Sequence, residues 1–340
     1  MNHGSGSLRG AASVLVAVLL HLGVATGQLA QRESLGIAAE LVRQERFAEA
    51  RKILETLVQD SSNVPAEAYY HLAVCDARQG RRHAADTNLD LALARDSGYL
   101  PAVHLKAYFE FSAGRYSEAL GWTGHYLDQR PDGGETRKIS GLARFMLGDR
   151  PGAELDLKRA ARLLPQDFDA HYYLGRVYFE GSKLTLALSA FRRAIELDPR
   201  SAKARNHLGQ TLEGLTRFEE AEDAYRDAIH VEKEGAERSE WPYYNLGSLL
   251  LAEGDTEKAV TLLEEALARN PSSLQTRTRL GAAYSAASRL ADAEKQLRAV
   301  VLEEPTDADA HYQLGRVLMK LGLKDEGRKH LALFERFREP

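Results

Sequence analysis

The chain has 340 residues and a formal net charge of −4, with 44% hydrophobic and 28% charged residues, the balance of a soluble helical protein with a continuous core. That mild acidity argues against a nucleic-acid-binding role, which rests on a basic footprint. Cys75 is the single cysteine, so no intramolecular disulfide and no multi-cysteine metal site can form.

The chain begins with a targeting pattern. Arg9 precedes an apolar run, Ala11–Val24, broken only by Ser13, His21 and Gly23, and Ala25-Thr26-Gly27 then offers small residues at a cleavage site. A basic start, a short apolar core and a small-residue site predict a signal peptide over 1–27, cut after Gly27. The mature chain, 28–340, is then exported, to the periplasm by preference and to the medium as the alternative. The run falls short of the roughly 20 apolar residues of a membrane span, so no stable span is expected after cleavage. An uncleaved anchor is the competing reading. No Cys follows the run, which excludes a lipoprotein anchor. Removing 1–27, which holds Arg9 and no acidic residue, takes the formal charge from −4 to −5.

From about residue 31 one pattern recurs. Its clearest copy is 168–201, with His171, Leu174, Gly175, Tyr178, Ala187, Phe191, Ala194 and Pro199. This spacing resembles the tetratricopeptide repeat (TPR), a helix–turn–helix unit of 34 residues, with His171 where the family often has Trp. Gly175 and Ala187 leave room for two helices to touch, Leu174, Tyr178 and Phe191 fill the surrounding space, and Pro199 ends the second helix. The small residue of the first helix recurs at Ala38, Ala73, Ala107, Gly141, Gly175, Gly209, Gly247, Gly281 and Gly315. That of the second recurs at Ala50, Ala85, Ala119, Ala153, Ala187, Ala221, Ala259, Ala293 and Gly327. Both series step by 35, 34, 34, 34, 34, 38, 34 and 34. The resemblance implies an all-α, right-handed α-solenoid of about nine repeats, whose units contact mainly their neighbours.

In chain order the repeats are 31–64, 66–99, 100–133, 134–167, 168–201, 202–239, 240–273, 274–307 and 308–340. The first lacks the aromatics and reads as a terminal unit. Cys75, in the second, reads as a small core residue, with a reactive thiol as the minority view. Trp122 and Tyr126, in the third, read as packing residues. The sixth carries a polar insertion of four residues before Trp241-Pro242, which extends its second helix or enlarges the loop. Trp241 reads as a wedge between units, with an exposed contact as the alternative. Gly80, Gly114, Gly148, Gly254 and Gly322 occupy one turn position, where a left-handed cap favours glycine. Leu331, Phe334 and Phe337 leave apolar surface at the C-terminal end, a candidate site of self-association.

No HExxH, Gly-rich phosphate loop or Gly-x-Ser-x-Gly elbow occurs, and His171 and His311 fill repeat slots. No catalytic residue, metal or cofactor is expected; the chain reads as a non-enzyme. In the resembled family the first helices line a concave groove. Carried over by frame, this implies peptide-facing pairs at Tyr70 and Val74, His104 and Tyr108, Lys138 and Leu142, and Tyr172 and Arg176. The series continues with Asn206 and Gln210, Tyr244 and Ser248, Thr278 and Ala282, and Tyr312 and Arg316. Residues four apart share one helical face, and Tyr and Arg are frequent interface anchors. The bland alternative is that the tyrosines fill the inner wall. No three repeats supply the Lys/Asn/Asn/Lys/Arg set with which one subclass clamps a C-terminal carboxylate. The expectation is a non-catalytic scaffold holding a protein or peptide segment in the groove. The rivals are a component of an envelope polysaccharide-export or pilus assembly, and a glycan-binding accessory protein.

Overall fold

A side chain added where two helices cross must displace something, and in this protein the crossing points are glycine or alanine throughout. In the computed structural model, which describes residues 29–60, 63–234 and 238–338, a Cβ on Gly175 would lie 2.7 Å from the Phe191 ring. On Gly141 and Gly281 it would lie 2.6 Å from Leu157 and Leu297, and on Gly315 2.8 Å from Leu331. Each partner stands sixteen positions further on, on the second helix of the same pair. The expected signal peptide, the three positions 235–237 within the insertion and the last two residues lie outside the described residues.

The described residues form eighteen helices and no strand. They divide into two compact units, one reaching Leu163 and the other starting at Leu164. The first holds α1 (29–43), α2 (Phe47–Asp60), α3 (Ala66–Arg78), α4 (Arg82–Arg95), α5 (Leu100–Ser112), α6 (Tyr116–Gln129), α7 (Gly134–Met146) and α8 (Arg150–Leu163). The second holds α9 (Phe168–Glu180), α10 (Leu184–Leu197), α11 (Ala202–Gly214), α12 (Phe218–Glu234), α13 (Trp241–Glu253), α14 (Thr256–Arg269), α15 (Leu274–Ala286), α16 (Leu290–Glu303), α17 (Ala308–Lys320) and α18 (Lys324–Phe337). Each odd-numbered helix pairs with the next, giving nine helix–turn–helix repeats in the expected frame. In the second unit α9, α11, α13, α15 and α17 lie side by side as one layer.

Local sequence sets the ends. Asp167, Ser201, Ser273 and Asp307 accept hydrogen bonds from the backbone N–H three residues on, satisfying an orphan donor at the starts of α9, α11, α15 and α17. The five turn glycines all have positive φ, between 75° and 90°. The remaining repeats place Glu45, Ser182, Thr216 and Ser288 at the same position, with φ of 56–61°. The backbone conformation belongs to the repeat, and glycine is only its least strained occupant.

The aromatic slot carries a second role. Arg137 Nε donates to the Pro131 carbonyl at 2.8 Å, Arg277 Nη2 to Pro271 at 2.7 Å, and His311 Nε2 to Pro305 at 3.0 Å. These contacts tie the start of one repeat to the end of the preceding one. Buried charge is also paired between helices. Asp76, 1% exposed, accepts from Arg51 Nε (3.1 Å), Arg81 Nε (2.9 Å) and Asn88 Nδ2 (2.9 Å), joining α2, α3 and α4. Lys106, 7% exposed, reaches Asp86 and Asp90 of α4 at 2.7 Å each. Asp156 of α8 accepts from Arg137 at 3.1 Å and from Ser140 at 2.8 Å, both on α7.

The four extra residues of the sixth repeat mostly extend its helix: α12 has 17 residues where α10 has 14. The extension is anchored by buried Glu232, which accepts from Tyr243 Oη at 2.9 Å and from Arg269 Nε at 3.3 Å. Cys75 is a fully buried core residue, and burial pushes its thiol up to about 11. At the C-terminus Phe334 rests on Tyr312, with ring centroids 5.0 Å apart, and Phe337 on His311 at 5.8 Å, so both are half-buried.

Two substitutions test this account. Gly175→Ala gains about 1 kcal/mol of helix propensity but overpacks a fully buried ring at about 1–3 kcal/mol, so a net loss of stability is expected in denaturant unfolding. Thr216→Gly relieves a β-branched residue at φ 58° and is expected to raise stability by about 1 kcal/mol in the same assay.

Candidate functional site

Three stretches of the second unit converge on a cleft of about 440 Å³. Helix α9 contributes Tyr172 and Arg176, one turn apart. Helix α11 contributes Lys203, Asn206, His207 and Gln210, on a single face at helical spacing. The start of α13, delivered by the extended α12, contributes Trp241. Four of the residues implied by the repeat frame, Tyr172, Arg176, Asn206 and Gln210, are thus brought together.

The walls of the cleft are aromatic and well fixed. Phe168 and Tyr172 stack at 5.5 Å and 11°, and the Lys203 ammonium lies 5.2 Å and 5.0 Å from the two ring centroids, within cation–π range. His207 packs on Tyr172 and on Phe191, each at 5.6 Å. Tyr172 is only 5% exposed, and burial raises its phenol to about 12, so it is a wall with one accessible edge. His207 Nδ1 lies 2.8 Å from Gln210 Oε1; the carbonyl oxygen accepts, which places the ring proton on Nδ1. Burial, the largest influence, holds His207 below its ordinary value of 6.5 and keeps it neutral. Asn206 is buried, with Oδ1 accepting from Asn245 Nδ2 at 2.9 Å. Trp241 is 43% exposed and stands edge-on to Tyr244, 5.8 Å away at 80°. The preferred reading of Trp241 as a buried wedge is therefore corrected. The lengthened α12 sets the indole at the mouth of the cleft.

The other implied residues lie elsewhere. Tyr244 adjoins the cleft through Trp241 and accepts from Gln275 Nε2 at 3.0 Å. Tyr312 and Arg316 sit on α17, with the guanidinium 5.4 Å from the ring centroid. In the first unit Tyr70 packs edge-on against Tyr99 at 5.6 Å, and His104 Nδ1 lies 2.8 Å from Thr136 Oγ1. Tyr108 is 50% exposed, and Lys138 pairs with Glu135 at 2.9 Å. Lys203, His207 and Trp241 were absent from the implied set. Lys203 stands one turn before Asn206, and His207 and Trp241 fall outside the two positions taken from each repeat.

The cleft thus combines a cation on aromatic rings, amides beside it and an indole at the rim. Among the described residues no group of three His, Cys, Asp or Glu side chains is placed to hold a metal ion. No described helix is long and apolar enough to cross a membrane.

Models described as tetratricopeptide repeat match residues 35–99, 140–202, 200–272 and 250–312. The chain is 25% identical over 261 residues to "Protein CTR9 homolog" of Arabidopsis thaliana, an alignment covering 65% of this chain and 24% of that protein. The chain therefore spans about a quarter of that relative. Among solved structures it is similar to the Cut9–Hcn1 hetero-tetramer of the APC/C, at a TM-score of 0.59 and 16% identity, over 84% of this chain and 55% of that one. It is also similar to PilF of Pseudomonas aeruginosa, at a TM-score of 0.54 and 21% identity, over 62% of this chain and 95% of that one. At these identities the structural likenesses speak for the fold alone.

The neutral, half-buried His207 makes stability pH-dependent. Its folded value lies below its unfolded one, so the unfolded chain takes up more protons near pH 6; this share of stability is present above 6.5 and is lost as pH falls below it. His104, held low chiefly by burial, adds in the same sense. The midpoint of thermal unfolding should fall between about pH 7.5 and about pH 5.5, and His207→Phe should reduce that drop.

Proposed function

The chain belongs to the tetratricopeptide repeat family, and from that premise we propose that it is a non-catalytic scaffold that binds an extended segment of a partner protein in the cleft between α9, α11 and α13. The observation that carries this reading is the convergence of Tyr172, Lys203, Asn206 and Trp241 on one accessible cleft. A ring wall offers apolar contact, the amides match the donors and acceptors of a peptide backbone, and Tyr, Trp and Arg are the side chains that most often dominate binding energy. The compartment follows from the N-terminal pattern: the scaffold works after export, most simply in a periplasm or envelope.

Two measurements test these statements. Replacing Trp241 with a photo-cross-linking benzoylphenylalanine should give protease-sensitive adducts of defined mass in native extract. The same probe at exposed Arg192 on α10 should not give them. Adducts at both positions or at neither would sink the cleft as the binding site. N-terminal sequencing of the chain from its source should begin at Gln28; a start at Met1 would remove the cleaved signal peptide and leave the uncleaved anchor.

A further inference from the structure

In the fourth, eighth and ninth repeats the side chain in the aromatic slot makes two ties at once. Arg137, Arg277 and His311 donate to the carbonyl of the proline six residues earlier. They also meet the residue nineteen positions later on the second helix: Asp156 at 3.1 Å, Gln296 at 3.3 Å and His330 at 2.8 Å. In the fourth and eighth repeats the donor is a guanidinium, which keeps its charge at any pH a protein meets. In the ninth both partners are imidazoles, so a fixed contact is replaced by one that titrates near neutrality.

The hydrogen bonds leave room for one hydrogen between the two rings. His311 Nε2 donates to Pro305, so His311 Nδ1 carries a lone pair. His330 Nδ1, 2.8 Å away, then supplies the hydrogen. A first added proton goes to His330 Nε2 and leaves both bonds standing. A second has only His311 Nδ1 left, where two N–H groups would point at each other. The rings are stacked with centroids 5.1 Å apart, His311 is 3% exposed, and Phe337 of α18 lies against it. Separating the two N–H groups therefore means moving α18.

The surrounding charges are committed elsewhere. Glu326, one turn before His330, holds Arg298 of α16 at 2.7 Å. Asp307, in the turn before α17, accepts from the Ala310 N–H at 2.8 Å. Lys329 and Arg336 lie on the exposed side of α18. Burial, followed by the neighbouring His311, holds His330 below its ordinary value of 6.5; Arg298 acts in the same sense and Glu326 opposes it.

We propose that the His311–His330 pair is an acid-operated latch, which seats α18 on α17 at neutral pH and releases it when both imidazoles are protonated. Release uncovers Gly315, against which Leu331 packs, and Tyr312, on which Phe334 rests. The latch goes beyond the binding reading above and does not depend on it. With α18 released, both rings take up protons near 6.5; seated, the pair takes up at least one fewer. The seated state is thus fully favoured above 6.5 and loses about tenfold for each pH unit below it.

Hydrogen–deuterium exchange of the full chain, read by mass spectrometry and corrected for the intrinsic pH dependence of amide exchange, tests the latch. Between about pH 7.5 and about pH 5.0, protection of α18 should fall at least about tenfold further than that of α14 and α16, which contain no His. The His311→Arg, His330→Gln variant copies the Arg277–Gln296 pair of the preceding repeat and should abolish that extra loss. His330→Gln alone, at a half-exposed position, should abolish it too, because its amide donates to a neutral His311 or accepts from a protonated one. The latch is refuted if α18 loses no more protection than α14 and α16, or if both variants lose as much as the native chain.

Discussion

Eight of the nine repeats set a small residue on the first helix against a large side chain sixteen positions later on the second; the third has Thr123 there. The distance of closest approach is set at that contact, and the rest of the pair is packed outward from it. Where the first position is glycine, a Cβ would lie under 3.0 Å from Leu157, Phe191, Tyr225, Leu263, Leu297 or Leu331. Such spacing leaves no slack, because interiors are close-packed and a methyl group is felt. A helix pair of this kind has one apolar face for its mate and others for its neighbours, so its stability depends on the stack.

The same economy places the cleft. The first helices of the second unit are laid side by side, so side chains one turn apart on α9 and α11 present one continuous surface. The longer α12 then brings the next first helix in with its Trp at the edge. An insertion that lengthens a second helix thereby changes which side chains border the neighbouring first helices. The buried Glu232–Tyr243–Arg269 cluster fixes that change in place.

The frame of the repeats was fully legible in the sequence, because period, glycine position and terminating proline all express one geometry. The turn conformation was legible only where glycine marked it; Glu45, Ser182, Thr216 and Ser288 adopt it without a compositional sign, since the fold rather than the residue imposes it. Half of the cleft was legible. Tyr172, Arg176, Asn206 and Gln210 stand at positions implied by the family resemblance and carried along the repeat frame, whereas Trp241 owes its place to an insertion that the frame does not describe. The depth of a side chain was not legible either. Tyr172 and Arg176 share a face, yet the first is nearly enclosed and the second half-exposed. The two-unit division at Leu163 and Leu164 leaves no mark in the repeat spacing, which runs evenly at 34 through that point.

A stack of near-identical modules has an inherent ambiguity, because any module could in principle dock on the wrong neighbour. The buried charges remove it. Asp76 requires arginines of α2 and of its own turn, Lys106 requires the two aspartates of α4, and Glu232 requires Arg269 of α14. A module shifted by one place would bury one of these charges without its counter-ion, a penalty of about 3–5 kcal/mol. Apolar contacts alone, repeated with the same geometry, would discriminate far less. The charges act as an address code along the chain, so the order of the modules is written into the interior.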